Sequence, residues 1–203
     1  MSSKKIDRKK IISPSNLCLY ESFSLTMKFY ISIESSVLAN ERYLELDFQR
    51  VEHMTAAAAL YLVSVITKCQ NSCSKNILFP DRVITLVLPS GQLKRDLFLD
   101  TGLWDMVKPG GEKKLEKIWD ERKNSFQTGN KPEKQYPEML EWFNDLGFGG
   151  VPRKLSSAVQ EAYLNIKQHA YGKEGAHVFL ESRWWQYAYY KESTNQVIFL
   201  LLD

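Results

Sequence analysis

Residues 155–171 read LSSAVQEAYLNIKQHAY, and within them Glu161, Asn165 and His169 stand four residues apart. On an α-helix each is turned about 40° from the one before, so the three share one face. A carboxylate in such a row can position water as a general base. A carboxamide oxygen can reach a hard cation, and an imidazole can donate a hydrogen bond to an anion. Ala158, Ala162, Ile166 and Ala170 form a second stripe about 100° away, small enough to bring the helix close to a sheet. The polar row then borders the buried face, where a cleft can open. Taken alone, the same three residues also suit the solvated face of an amphipathic helix.

The elements that must position this row can be read on either side of it. Pro152 suits the start of a helix, and Gly172 stops it. Residues 176–190 are rich in aromatic and β-branched side chains. The polar turn Glu192-Ser193-Thr194-Asn195 follows, and residues 196–202 are strand-like throughout. The pattern predicts a helix followed by a β-hairpin.

The motif E-x-x-x-N-x-x-x-H-A, then an aromatic hairpin, then an apolar strand ending in Asp, resembles the N-box and its continuation in the ATPase superfamily of gyrase, Hsp90, histidine kinases and MutL. The resemblance covers residues 153–203. In that superfamily the strand runs into an Asp-x-Gly-x-Gly box. Here Val197-Ile198-Phe199-Leu200-Leu201-Leu202 matches the strand, and Asp203 matches the first residue of the box. The resemblance implies ATP and Mg²⁺ as cofactors. It gives Asn165 the role of Mg²⁺ ligand, since Mg²⁺ keeps several waters and takes few protein ligands. By the same resemblance Glu161 positions water or orients a phosphate acceptor. His169 donates a hydrogen bond to phosphate, and Asp203 accepts one from the adenine amino group. The glycines after the Asp, the lid and the second glycine box are not among the 203 residues. Gly147, Gly149 and Gly150 precede the helix with no Lys-Ser/Thr after them, so they are no phosphate loop. The expectation is an ATP-binding domain cut short. Kinase or ATPase chemistry would belong to its complete form, and the chain as given would be inactive.

The first half alternates strand and helix signals. Residues 25–33 are rich in Phe, Tyr and Ile, as in a strand. Residues 43–48 alternate Leu44, Leu46 and Phe48 against Glu45 and Asp47, as in a strand with one buried face. Residues 55–68 place Ala56, Ala59, Leu60, Val63 and Ile66 at helical spacing. Residues 83–88 form an apolar strand, and residues 93–98 restart a helix. This is the pattern of a small α/β domain. The run Leu44-Glu45-Leu46-Asp47-Phe48-Gln49-Arg50-Val51-Glu52-His53-Met54 resembles the strand and turn of STAS domains, the fold of anti-anti-sigma factors, with the match covering residues 25–107. In that family an Asp-Ser-Ser-Gly segment then opens a helix and offers a phosphorylatable serine. Here the stretch is Thr55-Ala56-Ala57-Ala58, so the resemblance implies a binding module without the phosphoswitch. Thr55 is expected to cap the helix.

The fold class expected is therefore α/β (α+β), a small STAS-like domain plus a partial α/β-sandwich of the histidine-kinase ATPase type. The divisions expected are a basic flexible tail over 1–15, the STAS-like domain over 16–107, a connector with short helices over 108–150, and the partial ATPase domain over 151–203. Within the connector, Leu115, Ile118 and Trp119 fit one short amphipathic helix, and residues 138–145 a second.

Composition fits a soluble globular protein, with 44% hydrophobic and 25% charged residues. A net charge of +3 gives no argument for nucleic acid. Trp184, Trp185, Tyr187, Tyr189 and Tyr190 have only Arg183 and Lys191 beside them, so they read as cross-strand packing rather than a base-stacking platform. His53 and His177 stand apart from any metal-spaced set. No apolar stretch reaches the length that spans a bilayer, and no secretory segment follows the basic start. Cys18, Cys69 and Cys73 read as free thiols. These features imply a cytoplasmic regulatory protein with a protein partner and with self-association possible through an exposed sheet edge. The alternative is a non-catalytic interaction module that binds no nucleotide.

Overall fold

The computed structural model describes residues 6–73, 76–91, 98–121, 123–129, 132–145, 153–165, 183–194 and 196–202. The chain is a mixed α/β protein that divides into two units, Met1–Lys117 and Ile118–Asp203. Among the described residues no helix is long and apolar enough to cross a membrane.

The first unit is built on a parallel sheet in the order β1-β3-β5, with strands Lys9–Ile12, Leu44–Asp47 and Ile84–Val87. In register, Ile12 faces Asp47, and Asp47 faces Val87. A second parallel pair, β2 (Asn16–Leu17) and β4 (His53–Met54), continues from the ends of β1 and β3. Leu44, Leu46 and Phe48 are fully buried, as their alternation predicts.

Residues 25–33 are a helix and not a strand: α1 spans Phe23–Glu34. Thr26, Phe29, Tyr30 and Ile33 are its buried residues, at i, i+3, i+4 and i+7, the helical period. The aromatic and β-branched content suggested a strand, but such preference is weak against packing. Topology also asks for the helix, because consecutive parallel strands need a crossover between them. Helix α2 (Ala56–Ser72) is the second crossover. Tyr30 ties the two helices together, donating to the carbonyl of Ala58 at 2.7 Å while its ring stacks on Tyr61.

The basic start is structured from Arg8 onward. The Arg8 guanidinium lies over the Tyr43 ring and donates to the carbonyls of Leu44 at 3.1 Å and Arg82 at 3.0 Å. Lys9 donates to Ser36 Oγ, and Lys10 pairs with Asp47. Where a flexible tail was expected, Arg8, Lys9 and Lys10 pin the edge of the sheet, with both lysines still open to solvent, and Lys9–Ile12 is a strand of it. Beyond β5, a short helix α3 (Leu103–Val107) turns through Pro109-Gly110-Gly111 into α4 (Gly111–Glu121). The turn uses both glycines, at φ +148° and +57°. A Cβ on Gly110 would lie 2.8 Å from the Cβ of Lys114.

The second unit carries an antiparallel sheet in the order β6-β7-β8, with strands Phe126–Gly129, Trp184–Lys191 and Gln196–Leu202. The β7–β8 hairpin falls where the sequence places it, with Trp185 facing Leu202 and Lys191 facing Gln196. Strand β6 lies inside the stretch expected as a connector, as do α4 and α5 (Pro132–Asp145). Turn-rich sequence on both sides of four residues hid a strand whose partner is more than fifty residues away. Helix α6 (Arg153–Asn165) completes the unit. Met139 and Trp142 of α5, Val159 and Tyr163 of α6, and Trp184 and Ala188 of β7 form its core. The aromatic hairpin residues Trp184, Trp185 and Tyr187 are buried; the Trp184 ring packs on Trp119 and Tyr163, and the Tyr187 ring on Phe126.

Candidate functional site

Helix α6 carries Glu161 and Asn165 of the polar row. Among its described side chains Val159 and Tyr163 are buried, whereas Glu161 and Asn165 are exposed. At about 100° per residue, Tyr163 lies about 200° from Glu161 and about 160° from Asn165, so the polar pair points directly away from the core. This corrects the expected geometry. Ala158 is exposed and Ala162 only half-buried, so these two positions of the alanine stripe are not the packing face. The larger side chains take that place because each removes more apolar area from water. Glu161 and Asn165 consequently lie opposite the buried face and not along its border. His169, Asp203, Ile166 and Ala170 lie outside the described residues, so the structure brings together two of the four expected site residues.

Glu161 and Asn165 make no hydrogen bond or ion pair among the described residues. Both offer oxygen donors, the type a hard cation takes, and Mg²⁺ shared with phosphates asks for only one or two of them from protein. Across the helix, the Tyr163 hydroxyl donates to Gln186 Oε1 at 2.5 Å, with its ring edge-on to Trp184 at 5.1 Å.

Elsewhere in the second unit lies a small cavity lined by Trp119, Gln127, Glu138, Met139, Trp142 and Gln186. Gln127 and Gln186 face each other in the β6–β7 register, and both are buried. The Trp119 indole donates to Glu138 at 2.7 Å. Gln127 Oε1, Gln186 Nε2 and Trp184 Nε1 have no hydrogen-bond partner among the described residues. Sequence reading missed this polar layer, although a Gln inside an otherwise aromatic strand was a signal for it. The cavity has room for about one water molecule, far below a nucleotide's needs.

In the first unit Thr55 is the N-cap of α2, its hydroxyl accepting from the Ala58 amide at 3.3 Å. Asp47 ends the central strand beneath Lys10. Ser13 and Asn16, nearby in the chain, keep buried oxygens without a described partner. Cys18, Cys69 and Cys73 are free thiols. Burial pushes the Cys69 and Cys73 thiols up. The backbone amides of Glu21 and Tyr20 draw Cys18 down. Among the described residues no group of three or more His, Cys, Asp or Glu is placed to hold a metal.

Compared with family models, with curated proteins and with solved structures, the chain matches none.

Proposed function

We propose that the chain is a cytoplasmic regulatory protein in which a STAS-like binding module is joined to part of a histidine-kinase-type ATP-binding domain. Its polar helix would face Mg-ATP, and it would act on a protein partner, by phosphorylation or by a nucleotide-driven switch. The observation that carries this reading is the pair Glu161 and Asn165, four residues apart on the exposed side of α6, with the opposite side fixed to an antiparallel sheet. Asn165 would hold the cation through its carboxamide oxygen, and Glu161 would orient water or a phosphate acceptor. Mg²⁺ would neutralise charge on the phosphates. In the first unit the Thr55 hydroxyl is engaged as a helix cap, which supports a module that binds without a phosphoswitch.

One observation favours a second reading, an interaction module that binds no nucleotide. The cavity in the second unit is small and is lined by none of Glu161, Asn165 or their helix. Calorimetry with ATP, with and without Mg²⁺, separates the two. Millimolar binding, about 4 kcal/mol, is expected, with the Mg²⁺-dependent part removed by Asn165→Ala. Binding indifferent to both Mg²⁺ and Asn165 would remove the nucleotide reading and leave the interaction module. Micromolar binding that survives Asn165→Ala would place the site elsewhere.

A further inference from the structure

We infer that the Tyr163–Gln186 hydrogen bond is the rotational lock of helix α6, making both residues positioning residues for Glu161 and Asn165, a role that rests on the reading of those two as the Mg-nucleotide side. Tyr163 sits midway between them in sequence and opposite them around the helix, so any roll of its ring along the sheet swings the polar pair by the same angle. Apolar contacts resist such a roll poorly, because hydrophobic burial is non-directional. Burial of Val159 and Tyr163 selects which side of the helix meets the sheet, and the directional bond fixes the finer rotation.

A hydrogen bond differs in this respect, since it weakens steeply as donor and acceptor leave alignment. The bond from Tyr163 to Gln186 is 2.5 Å long, and Gln186 is fully buried, so bulk water does not compete for either partner. Gln186 is in turn fixed in the interior of β7, between β6 and β8, opposite Gln127. The Tyr163 ring is wedged between Trp184 at 5.1 Å and Tyr136 at 5.8 Å, which limits its own side-chain motion. Sheet, amide, phenol and helix thus form one chain of fixed orientations ending at the exposed pair.

The test uses Tyr163→Phe and Gln186→Leu together, so that removing the bond strands no buried polar partner. Nitroxides on ketone-bearing residues in place of Glu161 and Ile198, both exposed, report the helix against the sheet and leave the cysteines unlabelled. The unaltered pairing should give one narrow distance distribution. The double variant should melt close to it but show a broadened or shifted distribution. In parallel, without labels, the double variant should lose the Mg²⁺-dependent part of ATP binding. A double variant that keeps the narrow distribution overturns the lock. If the double variant does not fold, Tyr163→Phe alone is read by the same criterion, since it keeps the ring and removes only the hydroxyl. If the distribution broadens while the parent chain shows no Mg²⁺-dependent ATP binding, the lock stands and the nucleotide reading falls. If Mg²⁺-dependent binding is present and unchanged in the double variant, the positioning role falls.

Discussion

Lys10 of β1 holds Asp47 at the end of β3, Nζ to Oδ2, at 2.7 Å, diagonally across the parallel register. The Lys10 ammonium first, and then the Gln49 amide at 2.9 Å, keep the Asp47 carboxyl below its usual range. Asp47 raises Lys10 in return. A carboxyl lowered on folding contributes stability above its unfolded pKa of about 3.9 and loses it as pH falls through the folded value. A raised lysine contributes below its unfolded pKa of about 10.4 and loses it above. The pair should therefore stabilise fully between those limits. Melting midpoints of Asp47→Asn should lie below the parent's at pH 7 and converge with them in strong acid. A gap that persists at pH 2 would mean that the loss is one of shape rather than charge.

Lys114 should respond to pH in the sense opposite to Lys10. Its ammonium donates to the carbonyls of Met106 at 2.6 Å and Lys108 at 2.7 Å, closing the end of α3. Burial, with Lys108 adding and Asp105 opposing, pushes it down to about 8. A lysine lowered on folding binds fewer protons folded than unfolded between that value and about 10.4, so stability from this group rises with pH in the window. Lys114→Met should flatten that rise, measured as melting midpoint against pH from 7 to 10. An unchanged slope would assign it to other groups.

Thr55→Ala should cost about 1 kcal/mol in denaturant unfolding, the usual value of an N-cap, and Thr55→Ser should recover most of it. Mass spectrometry after incubation with lysate and ATP should find no phosphate on Thr55. A phosphorylated Thr55 would show the cap to be displaceable and would restore a phosphoswitch to the module.

Hydrogen exchange should find the amides of β6 that bond to β7 as protected as the β7–β8 hairpin. Loop-rate exchange across residues 126–129 would return that stretch to a connector.

What was legible followed from burial with a regular period. Leu44, Leu46 and Phe48 gave the central strand, and Ala59, Leu60, Val63 and Ile66 gave α2, because each apolar period falls on buried positions, although burial in α2 runs round the helix to take in Ala58, Leu62 and Val65 as well. The hairpin was legible because both strands and their turn are adjacent in the chain. Helix α1 was misread because Phe29, Tyr30 and Ile33 carry strand-like preference on a helical period, and the period decided. Strand β6 was missed because its four residues gain their place from a distant partner. At the site, types and spacing put Glu161 and Asn165 on one face, but not which way that face turns. That is set by Val159 and Tyr163 outweighing the alanines, a comparison of buried size that a polar motif does not contain.

The Lys-Lys-Ile-Ile strand β1 also bears on solubility. It covers one flank of β3, whose Leu44 and Leu46 are fully buried. Being four residues long and carrying two lysines, β1 is a poor template for a further strand. A polypeptide deprived of residues 1–12 would turn the apolar β3 into the outermost strand, and the expected phenotype is precipitation through edge-to-edge polymerisation rather than simple unfolding. Strand β1 would thus act as a gatekeeper against aggregation.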